Sequence, residues 1–345
     1  MKTILKNAFA FGSLFFVFLL ASCGAIEPRH ERVLGTVCFV NLYEKGSAKL
    51  YDAIFDRLNQ IDDEFNLNKP ESSLSLMNAG AFDASVVVSA DVFYVLKTAK
   101  EVAALSDGVY DPSIQSIARL WAINSDSPRV PSQAEIDAAL PAVDYTAIEL
   151  NEADSSVRFT KPGVSVDLGS IAKGFAADEI AEICKKNHIK RAVIDLGGNV
   201  YVYGKKKKNE LWRVGIKNPE DPQSSPFVSL LTTSASVVTS GAYERFFEAD
   251  GVLYHHIFST KDGYPVHNDI LSATVVCEKS ILADALSTTA FALGSQNTKA
   301  LLPQLAAHFK TPIGVVLIKE DHAVWVSDTL SGKVSLLYGD WRMEK

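Results

Sequence analysis

Cysteine is scarce in this chain, with four in 345 residues. That excludes a disulfide scaffold, which needs a dense and even set of thiols. Positive charge is also short. Asp and Glu number 41 against 34 Lys and Arg, for a net charge of −7. Nucleic acid is therefore excluded as a main partner, since phosphate backbones are held by clustered basic surface. Gly and Pro number only 20 and 13, and no repeat recurs along the chain, so a collagen-like array is excluded. What is present is ordinary for a folded globular protein: 47% hydrophobic and 22% charged residues. The length allows about two domains, or one large one.

The first stretch reads as a targeting signal. Lys2 and Lys6 precede an apolar run of 13 residues from Ala8 to Leu20. That run fits the apolar region of a signal peptide and is short for a bilayer span. It ends in Leu20-Ala21-Ser22-Cys23, small residues before a cysteine, as in a bacterial lipobox. The expectation is a signal peptide over 1–22 and lipidation of Cys23, followed by a polar tether over 23–32. The body would be anchored to a membrane, facing the periplasm or exterior. Removing 1–22 takes two lysines with it and leaves a charge of −9. Cys38, Cys184 and Cys277 are far apart and read as buried thiols, with room for at most one disulfide.

Beyond the tether, Leu34 to Tyr43 alternates like a strand, and Lys49 to Glu64 has helical apolar spacing. Ala90 to Ser106 predicts a second helix. Ser132 to Leu140 predicts a third, with Ser132 as N-cap and Glu135 completing a capping box. Residues 147–160 read as a hairpin. Val164 to Asp167 reads as a short strand feeding a helix from Ile171 to Lys186, and Ala192 to Leu196 as a buried strand. Strands dominate 200–276, interrupted by the run Lys205 to Lys208, which reads as a solvated turn. Helices over Ile281–Leu293 and Lys299–Phe309 precede a hairpin of Ile313–Lys319 and Ala323–Val326. Strand runs with helices inserted at irregular intervals predict an α+β fold.

Four segments carry chemistry. In Asp167-Leu-Gly-Ser-Ile-Ala-Lys173-Gly174 a glycine turn opens a helix, whose free amides and dipole attract anions. Its glycine spacing resembles a phosphate-binding P-loop, but Phe175 stands where that loop needs lysine. In Asp284-Ala-Leu-Ser287-Thr288 one carboxylate and two hydroxyls share a helix face. Such oxygen-only ligands suit Mg²⁺ rather than Zn²⁺ or Cu²⁺, although the same spacing fits an ordinary helix start. Adjacent His255 and His256 would point to opposite faces of a strand, so one of them can face a site. Ser240-Gly-Ala-Tyr-Glu-Arg245 offers a small turn that a ligand could approach closely.

Taken in order, these segments resemble the ApbE family of FAD:protein FMN transferases. Asp167 to Gly174 is similar to its D-L-G-G-I-A-K-G segment, and Asp195 to Asn199 to its N-L-G-G-D. Ser240 to Arg245 is similar to S-G-x-Y-E-R, and His256-Ile257 with Gly263-Tyr-Pro265 to H-I-x-D-P-x-T-G-x-P. Asp284 to Thr288 resembles A-D-A-x-x-T, while Val109-Tyr-Asp-Pro112 with Leu120-Trp121 resembles G-x-x-D-P-T…W. The resemblance implies a T-fold-like body over 33–345 that binds FAD, with Mg²⁺ on the diphosphate. FAD would be cleaved and its FMN half moved to a threonine of an exported or membrane flavoprotein, of the kind found in redox-driven ion pumps, with AMP released. Hydrolysis of FAD to FMN and AMP is the related activity. A non-catalytic FAD-storage lipoprotein is the alternative. By this resemblance Leu34, Asn68, Val109, Tyr110, Asp111, Asp167, Lys173, His256 and Ile257 would line the flavin site. Ser170, Asp284, Ser287 and Thr288 would surround the metal, and His256 and Asp284 would be catalytic. Asn68 stands where many relatives have tyrosine, which removes a stacking ring and tilts the expectation toward hydrolysis beside transfer. Leu34 replaces a common methionine, and Ser259-Thr260 the usual Asp-Pro.

Overall fold

The computed structural model describes residues 27–44, 46–207 and 210–344. The expected signal segment and Cys23 lie outside them. Nine strands form one sheet whose spatial order follows the chain: β1 (Arg29–Val33), β2 (Thr36–Leu42), β3 (Arg191–Leu196), β4 (Asn199–Gly204), β5 (Ala235–Gly241), β6 (Ile270–Cys277), β7 (Gly314–Lys319), β8 (Ala323–Val326) and β9 (Arg342–Met343). Neighbours are antiparallel except β8 and β9, which run parallel. Two expectations change at the first hairpin. Arg29–Val33, assigned from sequence mostly to the tether, is a paired strand. Leu34, expected inside a strand, turns with Gly35 at positive φ (54° and 68°).

Side chains alternate across the sheet, so adjacent residues serve different cores. Val238, Val275, Val315 and Leu317 face the helical layer, and their neighbours Val237, Val276, Val316 and Ile318 face the other way. The helical layer comprises α1 (Ala48–Phe65), α2 (Ser73–Gly80), α3 (Ala90–Leu105), α6 (Ala172–Lys186) and α7 (Ser280–Phe309). The opposite face is covered by a small sheet of Trp212–Ile216, Val228–Thr232 and Val334–Leu336. A third cluster joins α4 (Gln115–Trp121) and α5 (Gln133–Ala139) through Ile117, Trp121, Ile136 and Phe258. The capping box of Ser132 and Glu135 is present at α5. The hairpin Ile148–Asn151 with Ser156–Phe159 also forms as expected. The fold is α+β.

One local expectation is met only in part. Val164–Asp167 forms no full strand: Ser165 makes an isolated parallel bridge to Ile114, Asp167 N donates to Pro112 O at 2.8 Å, and the Asn78 amide takes up both backbone groups of Val166. Asn78 accepts from Val166 N at 2.8 Å and donates to Val166 O at 2.9 Å. The two expected C-terminal helices are present within Ser280–Phe309, separated at Gly294, whose φ of 75° and ψ of 176° are not helical. Asp269 starts the second by accepting from Ser295 N at 2.9 Å. Cys38, Cys184 and Cys277 are buried free thiols.

Candidate active site

The turns at one end of the sheet build the site. Gly197 and Gly198 close β3 onto β4 with φ of 68° and 94°. A Cβ at Gly197 would meet Thr36 Oγ1 at 2.2 Å, so only glycine lets the two turns approach. Asp195 Oδ1 accepts from Gly198 N at 2.9 Å and fixes the turn.

Two helix starts meet beside these turns. Neither α6 nor α7 has a side-chain cap of its own. Each is capped by a carboxylate of the other. Asp284 on α7 accepts from Gly174 N in the first turn of α6 at 2.8 Å. Asp178 on α6 accepts from Ser280 N at 2.7 Å and Ile281 N at 2.9 Å, the first two amides of α7. Caps satisfy amides that would otherwise be orphaned at a buried helix end. Gly174 permits the crossing, since a Cβ there would lie 2.3 Å from Ser280 O. Burial pushes the Asp178 carboxyl up to about 6, although its two amide donors pull the other way.

Of the residues expected around a metal, Asp284, Ser287 and Thr288 lie together with Ser240, while Ser170 bonds to Tyr110. Asp284 is 4% exposed, and one of its oxygens is committed to Gly174. Ser287 Oγ donates to Asp284 O at 2.8 Å, and Ser240 Oγ lies 2.8 Å from Ser287 Oγ and 3.3 Å from Thr288 Oγ1. Ser170 Oγ donates to the buried Tyr110 hydroxyl at 3.1 Å, and burial raises the pKa of that phenol. Among the described residues no three His, Cys, Asp or Glu side chains converge on a metal position. The donors are hydroxyls and one carboxylate. That set suits a hard cation whose remaining ligands are water and substrate phosphate, not an all-protein cage.

Charge gathers at the same place. Asp167 Oδ1 accepts from Gly169 N at 2.7 Å. Burial raises its pKa, and the nearby Lys173 and Arg245 charges oppose the rise. Lys173 Nζ donates to Gly169 O at 3.0 Å, which holds the ammonium at the α6 start. The two histidines part as expected. His255 is buried, with Nε2 2.9 Å from Val266 O and its ring edge-on to Phe291. His256 is half-buried, with Nδ1 3.2 Å from Arg245 O. Burial and then the Arg245 charge hold it down to about 3, so the ring is neutral at ordinary pH.

Other expected residues sit differently. The Asp111 carboxylate is consumed by the fold: it accepts from Ser113 N, Ser113 Oγ and Tyr145 N at 2.8, 2.6 and 2.9 Å. Ile257 is buried, with its carbonyl accepting from Val266 N at 2.9 Å. Leu34 and Val109 are half-buried, and Asn68 is exposed. Among the described residues no hydrogen bond joins these three to the metal face. Ser240, Glu244 and Arg245 were read as a motif but not as site residues; the geometry places Ser240 on the metal face. Asp178 left no sequence signal beyond its place one helical turn after Gly174.

Residues 34–310 match the ApbE family. An FAD:protein FMN transferase of Treponema pallidum is 34% identical over 348 residues, covering 94% of this chain and 95% of that protein. The enzyme of the same name from Klebsiella pneumoniae is 34% identical over 272 residues, covering 79% of this chain and 84% of that protein. Among solved structures, an ApbE protein from Thermotoga maritima superposes with a TM-score of 0.78 at 28% identity, covering 88% of this chain and 97% of that one. A flavin transferase ApbE from Vibrio cholerae shares the fold, with a TM-score of 0.76 at 23% identity, covering 88% of this chain and 98% of that one. Family match, near full-length relatives and common fold together establish that the chain belongs to the ApbE family.

Proposed function

We propose that the protein is an FAD:protein FMN transferase that cleaves FAD at its diphosphate and attaches FMN to a threonine of an exported or membrane flavoprotein subunit. The observation that carries this reading is the joint at which α6 and α7 cap each other. It brings the α6 start, where the Lys173 ammonium is held, against the part of α7 that carries Asp284, Ser287 and Thr288, with Ser240 bonded to the last two. Phosphoryl transfer depends on positioning and charge neutralisation more than on covalent help from the protein.

Lys173, held at the positive end of the α6 dipole, binds the diphosphate. Asp284, Thr288 and Ser240 would hold Mg²⁺, which when bound neutralises charge on the diphosphate oxygens. His256 is neutral and accepts the proton of the attacking threonine hydroxyl. The threonine oxygen bonds to the FMN phosphorus, the bond from that phosphorus to the bridging oxygen breaks, and AMP departs with the electron pair. With water as nucleophile the same residues give FMN and AMP, so FAD hydrolysis is the expected side activity. The mature chain would begin at a lipidated Cys23 and work outside the cytoplasm.

The test incubates the protein with FAD and Mg²⁺, with and without a threonine-bearing acceptor domain, and follows AMP and acceptor-bound flavin. Transfer predicts both products in equal amount with the acceptor present. EDTA should stop both, and Mg²⁺ should restore them. FAD retained without AMP release under any condition overturns the enzymatic reading and leaves storage.

A further inference from the structure

The sheet has two chemically different ends. Arg29 pairs with Val40 near the close of β2, Leu42 pairs with Ala192, and Arg191 pairs with Gly204. The start of β1, the close of β2, the start of β3 and the close of β4 therefore share one end. The turns Leu34-Gly35 and Gly197-Gly198 lie at the other, with the candidate active site. The six residues of β3 separate the two ends by roughly 17 Å.

The end away from the active site is basic. A cavity of about 640 Å³ is lined there by Lys190, Arg191, Lys205, Lys207 and Glu44. Glu44 is already paired with Arg191. Exposed Lys185 and Lys186, in the last turn of α6, lead through a short turn into Lys190. Acids nearby are engaged: Glu182 pairs with Lys185 at 3.2 Å, and Glu31 and Asp52 both pair with Arg29, while Glu210 meets Lys207 through the backbone alone. Amphipathic and apolar side chains are exposed beyond this lining. Tyr43 is 45% exposed beneath the Arg191 guanidinium, and Leu211 is 43% exposed. This concentration of cations occurs in a chain of net charge −7.

The chain also enters at this end. From Cys23 to Arg29 is six residues, so a lipid on Cys23 can lie no further than roughly 20 Å from the start of β1. A lipid anchor fixes distance but not orientation. Cations attract an anionic leaflet only within about 8 Å at physiological salt. The rest of this acidic molecule would be repelled, and Tyr side chains suit the headgroup level.

We infer that this end of the sheet, centred on Lys190, Arg191, Lys205 and Lys207, is a docking face for the anionic phospholipid headgroups of the membrane that carries the anchor. It rests on the reading of Cys23 as the lipidated residue. Docked this way, the protein turns the active site outward, toward the soluble part of an acceptor.

The test uses the full-length lipidated protein in vesicles of phosphatidylcholine alone and in vesicles with phosphatidylglycerol added. Lysines are acylated with a water-soluble reagent, and the rate at each site is read by mass spectrometry. Lys190, Lys205 and Lys207 should react roughly tenfold more slowly on the anionic vesicles. Lys217, exposed near Glu244 at the active-site end, should react equally on both. Lys190→Gln, Lys205→Gln and Lys207→Gln combined should abolish the protection of Lys185 and leave FAD turnover in detergent unchanged. Equal rates on the two vesicles, or protection of Lys217 instead, would overturn the docking face. Protection seen only in native membranes would also overturn it, and assign the patch to an acidic protein. The same digest reports whether Cys23 carries lipid. Unprotected lysines with a lipidated Cys23 sink the face alone, and protected lysines without lipid sink the anchor alone.

Discussion

His256 and His255 differ by one position and by everything that matters chemically. The His255 ring is committed to Val266 O and Phe291, so it is a core group. His256 stays neutral because burial and the Arg245 charge disfavour its protonated form. Its substitution by alanine should cut AMP release by about a hundredfold or more, the usual range for a lost general base. His255→Ala should instead lower the urea midpoint, by roughly 1–3 kcal/mol of stability for the partners it leaves unpaired. The sign of the pH effect follows from the lowered value. Above the ordinary imidazole range both folded and unfolded chains carry a neutral ring. As pH falls toward about 3 the unfolded chain takes the proton first, so this contribution to stability is lost across that window. Urea midpoints of wild type and His256→Gln between pH 7 and 4 should therefore converge on acidification. Part of this was legible in the sequence, because Asp284, Ser287 and Thr288 share one face of α7 by their spacing and Lys173 stands in the first turn of α6. The surroundings of Asp111 were not legible. Nothing local reveals that its carboxylate is consumed by Ser113 and by Tyr145, 34 positions away.

The joint between α6 and α7 carries the most consequence at the scale of elements. Each helix start is capped only by the other, so damage to one should move both. Asp178→Ala removes two acceptors and should cost about 1–2 kcal/mol of stability, the range for lost caps. Both Asp178 oxygens are committed to the first amides of α7, so it acts by positioning that helix. Its loss should raise the Mg²⁺ concentration needed for half-maximal turnover more than it lowers turnover at saturating Mg²⁺. A fall in turnover alone, with unchanged Mg²⁺ demand, would contradict that role. Gly174→Ala forces a methyl against Ser280 O and should cost about 1–3 kcal/mol through overpacking. The sequence showed both helices but not their joint, since a cap supplied by another helix leaves no local pattern. The same limit explains Val164–Asp167. Its alternation looked like a strand, yet it pairs with backbone only at an isolated bridge to Ile114 and at Pro112, and the Asn78 side chain takes both backbone groups of Val166. Gly294 was different: an interruption between two helical patterns was legible, but not that the segments join at one residue with Asp269 restarting the helix.

For the whole molecule, the proposed reaction site and the proposed anchor lie toward opposite ends of one sheet. That separation makes a prediction about rates. A lipid anchor confines enzyme and membrane-held acceptor to the same surface, where transfer runs at a high effective concentration. Hydrolysis of FAD needs no partner on that surface. Cys23→Ala should therefore release the protein and leave AMP production from FAD and water within about twofold, because the site lies roughly 17 Å of strand away from the anchor end. Flavin transfer to an acceptor in the same vesicle should fall by tenfold or more at equal enzyme, the lower part of the range expected for lost co-localisation. Transfer to the detached soluble domain of that acceptor should not change. Rates for both acceptors, with wild type and Cys23→Ala, decide the matter. An equal loss with both would mean that the substitution damages the site, and no loss with either would mean that the anchor does not serve the reaction.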